Sequence, residues 1–172
     1  TSSSGLRNTA FGKNALNDLT TGDHNTAVGS LSLDALTEGL YNSAVGSLSL
    51  TTVTTGNFNH GFGFGAGRLI STGSNNIAMG YESLRTLSTG SSNVSLGHSA
   101  MYNHGTSIRN IAIGQNAMNG NTSGIASNYN VAIGYSSMNQ INSGSNGNVA
   151  IGYLSLNQIT TGDNNVAIGY QA

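Results

Sequence analysis

Asn165-Val166-Ala167-Ile168-Gly169-Tyr170 decides the fold of this chain, because close copies of it recur from one end to the other. Ten copies begin at Asn8, Asn25, Asn42, Asn59, Asn76, Asn93, Asn110, Asn130, Asn148 and Asn165, in steps of 17 residues six times and then 20, 18 and 17. A fixed period of this kind marks a stacked array, in which each unit is too small to bury its apolar face alone. Numbering the unit 1 to 17 from its asparagine turns the sequence into columns.

A strand alternates its side chains, so positions 2 and 4 share one face and positions 3 and 5 the other. Position 3 is Ala10, Ala27, Ala44, Gly61, Ala78, Ser95, Ala112, Ala132, Ala150 and Ala167, and position 5 is always Gly, which only a cramped interior requires. Position 4 is an apolar column on the opposite face: Phe11, Val28, Val45, Phe62, Met79, Leu96, Ile113, Ile133, Ile151 and Ile168. Something must cover it.

Leu or Met recurs at position 9, from Leu16 to Leu156, and an apolar residue at position 12, from Leu19 to Ile159. These columns fill the inside of a coil, and Gly22, Gly39, Gly56, Gly73, Gly90, Gly124, Gly144 and Gly162 are read as the tight turn near position 15. So much Gly, Asn and Thr carries a helix cost that the short apolar runs do not offset. The expectation is therefore an all-β parallel solenoid of ten coils, a rod about 45 Å long at about 4.8 Å per coil. Its stacked asparagines are placed to bond one another as a ladder. The absence of Pro agrees, since a ladder residue needs its amide donor.

Eleven charged residues in 172, against 25 Gly and 24 Asn, is far below the usual quarter. Regular apolar columns nevertheless argue against disorder. A net charge of -1 gives no field for nucleic acid or an anionic membrane. No apolar run approaches the roughly 20 residues of a membrane helix, and without cysteine there is no disulfide frame. The chain begins at Thr1 and reads as one domain, 1–172, cut from something longer.

Other repeat architectures fit less well. Hexapeptide helices need repeats in sixes, and calcium-binding nonapeptide arrays need a Gly-Gly-x-Gly-x-Asp motif that is absent. Thr20-Thr21, Thr54-Thr55 and Thr160-Thr161 could form an ice-binding ladder, but they sit beside turns and vary between units.

The units Asn148-Val149-Ala150-Ile151-Gly152 and Asn165-Val166-Ala167-Ile168-Gly169 resemble the head repeat of YadA-like trimeric autotransporter adhesins. With the longer linker Thr160-Thr161-Gly162-Asp163-Asn164 they are also similar to units of phage tail fibres and bacterial fibre proteins. The resemblance covers nearly the whole chain, although the adhesin unit is nearer fourteen residues. It implies a left-handed parallel β-roll, three of which pack as a parallel homotrimer with the position-4 column at the axis. It also implies an extracellular setting, on a cell surface or in a virion fibre. Position 2 changes from Thr9, Thr26, Ser43 and His60 to Ile77, Val94, Ile111, Val131, Val149 and Val166, so the axis should be wetter toward the N-terminus.

No catalytic motif is present, and the chain is read as a non-enzyme without a cofactor. His60 alone among the histidines faces the expected axis, where three copies could hold an ion, though a hydrogen-bonded histidine is the plainer reading. Asp18, Asp23, Asp34 and Glu38 fall in neighbouring coils, where carboxylates usually line a solvated turn and occasionally pair for glycoside hydrolysis. In Gly61-Phe62-Gly63-Phe64-Gly65-Ala66-Gly67 the glycines are read as room for Phe62 and Phe64, taking the place of the leucine missing at Gly67. Tyr81, Tyr135, Tyr153 and Tyr170 stand in one column with Phe64 and His98, as a cover for the corner or a row for sugar rings. Where the 17-residue rule breaks, His98, Tyr102, Asn103, His104, Arg109, Asn128 and Tyr129 gather as the expected recognition surface, the last two in an insertion placed after Gly124. The function expected is a fibre head that binds a cell-surface ligand, a glycan first among them; the alternative is a passive rigid spacer.

Overall fold

Alternation through Asn-x-Ala-apolar-Gly produces a very short strand in every repeat. The computed structural model describes residues 5–172, so the first four residues of the expected domain lie outside the described residues. Ten strands of three residues follow one another: β1 (Thr9–Phe11), β2 (Thr26–Val28), β3 (Ser43–Val45), β4 (His60–Phe62), β5 (Ile77–Met79), β6 (Val94–Leu96), β7 (Ile111–Ile113), β8 (Val131–Ile133), β9 (Val149–Ile151) and β10 (Val166–Ile168). They form one parallel sheet in chain order, each strand beside the next. The register puts Ala on Ala, as Ala27↔Ala44 and Ala112↔Ala132, even across the 20-residue step. This is a β-solenoid, and the irregular steps are absorbed in its turns.

Position 3 is the inner face: Ala27, Ala44, Ala112, Ala132 and Ala150 are fully buried. Leucines and methionines of position 9 and the apolar residues of position 12 pack with them in a single core. Position-8 serines tie the turn to the strand of the coil above, as in Ser32 Oγ donating to Ala44 O at 3.1 Å and Ser137 Oγ to Ala150 O at 2.9 Å.

Glycine at position 5 is required twice over. Its φ lies between +127° and +141° in all ten coils, outside the reach of other residues, and a Cβ on Gly29 would stand 2.6 Å from the Gly46 carbonyl carbon of the coil above. Leucine in the left-handed region costs about 1 kcal/mol, yet Leu31 (φ 57°) and Leu33 (φ 49°) adopt it in one corner. That corner reverses the amide direction: Leu31 N–H donates down to Lys13 O and Leu33 N–H up to Ser49 O, so the turn stays bonded to both neighbours.

The asparagine ladder is complete over nine steps. Each Asn Oδ1 accepts from the backbone N–H of the next Asn at 2.8–3.2 Å and from its Nδ2 at 2.9–3.2 Å. The second Nδ2 proton goes to the carbonyl at position 15 of its own coil, as from Asn25 to Gly39 O at 2.8 Å. Two donors and two acceptor pairs are thereby all used in the interior.

Position 13 forms a further hydroxyl-to-carbonyl column, Thr20 to Thr37, Thr37 to Thr54, Thr54 to Ser71 and Ser71 to Ser88. These hydroxyls are therefore spent on the next coil rather than offered to a lattice. At position 16 side-chain oxygens accept from the amide one coil below, from Leu40 to Asn57, Asn57 to Ser74 and Ser74 to Ser91.

Two readings of the interior change. Phe62 and Phe64 do not fill the gap at Gly67: they are 37% and 42% exposed on the outer side. The space is taken by Leu50 and Ile70, whose side chains come within 2.6 and 2.9 Å of a Cβ built on Gly67. Gly61 belongs to the same rearrangement, since a Cβ there would meet Leu50 Cγ at 2.8 Å. Second, Gly124 and Gly144 are not the position-15 turn. Ser127 O and Ser145 O accept the Asn110 and Asn130 amides there, at 2.8 and 2.9 Å.

Candidate functional site

With positions 1, 3 and 5 inward, period two sends positions 17, 2, 4 and 6 outward together. The expected axis column, Phe11 to Ile168, lies on this face throughout. Phe11 (75%) and Ile168 (67%) are most exposed because they end the stack, while Val45, Phe62 and Met79 remain near 40%. From about six residues of width and nine rungs of height the face covers roughly 700 Å², with its apolar residues concentrated in the middle columns. Positions 2 and 4 carry no Asp, Glu, Lys or Arg in any coil. His60, in β4, is half-buried on this face, and among the described residues no three His, Cys, Asp or Glu side chains come together as a metal site.

Two aromatic columns border the face. At position 6, Phe64–Tyr81–His98 and Tyr135–Tyr153–Tyr170 form stacked rows with centroids 5.0–5.5 Å apart. At position 17, His24–Tyr41–Phe58 form another, at 4.7 and 5.1 Å. The second row was missed in the sequence, although reading the residue before each asparagine down the chain reveals it. In a three-ring row the middle ring has both faces covered by its neighbours. Sugars stack on ring faces, so these rows are poorly suited to sugars and well suited to lateral packing through their edges.

The seven residues expected to form a recognition surface fall at different positions of the coil. His98 is exposed at position 6, at the end of its ring row. Tyr102 lies at position 10 beneath the Arg85 guanidinium, 5.0 Å from its ring, and Asn103 at position 11 donates to Gly120 O at 2.9 Å. Arg109 and Tyr129, both at position 17, are joined by a 2.8 Å hydrogen bond from the guanidinium to the phenol oxygen and by ring contact at 5.5 Å. Asn128 belongs to the position-16 column, accepting from Ile108 N–H and donating its own N–H to Asn146 Oδ1, both at 2.9 Å. Its coil is regular from Ser127 onward, so the extra residues lie between Met118 and Ile125, not after Gly124. Asn121 to Gly124 are exposed, while Ile125 turns into the core and bridges to His104.

His104 cannot touch a ligand, because it is fully buried in the position-12 slot. The turn beside it is regular rather than rebuilt: Ser107 O accepts from Asn93 Nδ2 at 2.8 Å, as glycine does elsewhere. In the preceding coil Leu87 lies 2.4 Å from a Cβ built on Gly90, so a leucine at position 12 demands glycine at position 15. A planar imidazole makes room for Ser107, which bonds Nδ1 at 2.8 Å. Nε2 faces Met118 O at 2.7 Å and must carry the proton, since a carbonyl only accepts.

Burial holds the His104 pKa down at about 4, against a smaller opposing effect of the Met118 carbonyl. An unfolded histidine takes a proton near pH 6.5, so the stability that this residue confers is whole above that pH and is lost as pH falls to about 4. The loss should reach roughly 3 kcal/mol by the linkage relation. Thermal unfolding of the protein and of His104→Leu, compared from pH 7 to pH 4, should show this slope in the parent and its absence from the variant. Equal slopes would refute the assignment.

The four carboxylates have different surroundings. Asp23 is held by Arg7 at 3.2 Å and accepts from His24 N–H, and Asp18 accepts from Asn17. Asp34 is pushed to a higher pKa by burial and then by Asp18, and Glu38 is exposed. A depression of about 630 Å³ opens at the last coil around Leu156 and Ile159, where the stack of described rungs ends. No family model, curated protein or solved structure matches the chain.

Proposed function

We propose that this chain is the rigid body of a trimeric attachment fibre, displayed outside a cell or on a virion, in which three left-handed β-rolls pack in parallel about the column from Phe11 to Ile168. The observation that carries this reading is the outward face running the length of a rod whose backbone is otherwise bonded coil to coil, with an apolar position-4 column and no charge at positions 2 or 4. The lack of charge at positions 2 and 4 matches the core of obligate interfaces. Closing three copies in a ring leaves no apolar stripe to aggregate. The resemblance to YadA-like head repeats supports the same handedness and symmetry. His60 would then meet its two copies near the axis.

Within this fibre, target contact falls to the Asn121–Gly124 loop, the irregular exposed segment, repeated three times per trimer so that weak contacts gain from avidity. A second reading, the passive spacer, is favoured by the internal use of Asn103, His104 and Asn128 and by the covered ring faces. Binding of the purified trimer to candidate target cells and a glycan array separates the two. The attachment reading expects the parent to bind and a variant lacking Asn121, Thr122 and Ser123, which restores the 17-residue step, to lose at least tenfold in affinity while staying trimeric. A trimer that binds nothing is a spacer.

A further inference from the structure

We infer that position 17 of each repeat packs against position 6 of the same repeat in the adjacent copy, one rung below, because position 17 leads into the next strand. This rests on the trimer reading above. The two positions are opposite borders of the outward face, about six extended residues apart and so separated by roughly 15 Å or more within one chain. They share no partner there, and a lone solenoid gives the occupant of one border no reason to depend on the other.

Yet they are coupled in the sequence. In all nine complete repeats, one of the two positions holds an aromatic ring and the other does not. The first three repeats carry the ring at position 17, with Lys13, Ser30 and Ser47 across from it; the next three carry it at position 6, with Asn75, Ser92 and Arg109 opposite. Gln115 faces Tyr129 in the seventh, and Gly147 and Asn164 answer Tyr135 and Tyr153 in the last two. The ring changes sides twice more after its first switch, and the rule survives each change.

Rotation about an axis parallel to the rod brings the position-17 border of one copy to the position-6 border of the next. A gap of constant width is filled by one ring and one residue without a ring, small at Ser30, Ser47, Asn75, Ser92, Gly147 and Asn164 and flexible at Lys13, Arg109 and Gln115, whereas two rings overpack it and two small residues leave a void. Pairing with the next or the preceding repeat breaks the rule. Level rungs would set Phe58 against Phe64, and the opposite offset would set Tyr129 against His98 and Asn75 against Ser47. Same-repeat pairing is what the distribution of rings selects.

The chain has no cysteine, so introduced thiols report cleanly. Tyr81→Cys with Ser92→Cys places one thiol on each border of the fifth repeat, too far apart to join within a chain because a disulfide needs Cα atoms within about 7 Å. Mild oxidation of the assembled protein should yield a covalent trimer on a non-reducing gel. The mismatched pair Ser47→Cys with Ser92→Cys, two repeats out of step, should stay uncrosslinked. A sedimenting trimer in which the matched pair fails to link, or the mismatched pair links equally, overturns the register while leaving the trimer standing. Monomeric protein overturns both. Bulk offers an independent check: Ser47→Tyr, which sets a second ring opposite Phe58, should weaken the trimer about tenfold, and adding Phe58→Ser should restore it. Independent, additive effects would count against the contact.

Discussion

Ile133→Asp is expected to turn a particle of three times 17.5 kDa into a 17.5 kDa monomer that keeps its β-type circular dichroism. Ile133 is half-buried in the middle of the outward face in β8, so a single chain can hydrate an aspartate there with little loss. In a trimer three carboxylates would converge in the apolar part of the axis, flanked by Val131 and Val149, and taking each from water costs several kcal/mol. The same change at Val28, where position 2 is Thr26, should weaken assembly less, since the axis is wetter there. Sedimentation at micromolar concentration measures both. Persistence of an Ile133→Asp trimer would place the interface on another face, and the function and register argued above would fall with it.

Asn76→Ala should be the most damaging small change inside the rod. Asn76 is 1% exposed, and its Oδ1 accepts from Asn93 N–H and Nδ2, both at 3.1 Å. Its Nδ2 donates to Asn59 Oδ1 and to Gly90 O, both at 3.0 Å. Alanine leaves the buried Asn93 amide and the Gly90 carbonyl without partners, at about 1–3 kcal/mol for each orphan. A loss of roughly 2–6 kcal/mol follows, which for a chain of this length lowers the melting temperature by about 5–20 °C. Asn165→Ala, at the exposed last rung, removes bonds on one side only and should cost much less. Equal melting shifts for the two would show that the ladder follows the fold rather than holding it.

Much of this architecture was legible in the residues. Ala at position 3, Gly at position 5 and an apolar residue at position 4 state which way each strand faces, because alternation is a property of any extended chain. Asparagines repeated at one spacing state their own stacking, and parallel strands joined by equal steps leave no other register. The outward column was legible for the same reason. What covers it was not, because a partner's surface is no part of one chain's pattern.

Tertiary contact alone decided the exceptions. Nothing in Gly67 says that Leu50 will fill its place from the coil below, since that depends on which neighbour has a side chain long enough to reach. Recognition was expected around His98 to Tyr129 because polar, irregular residues usually mean an exposed loop. In this rod, however, His104 completes the core, Asn128 continues a ladder and Arg109 leans on Tyr129. The 20-residue step tells that three residues were added but not where, and the coil beneath settled it: Ile125 had to enter beside His104, and Ser127 had to present its carbonyl to Asn110. A repeating sequence determines the average coil through its own alternation. Each departure from the average is settled by the two coils that enclose it, because only they set the volume to be filled and the bonds to be met.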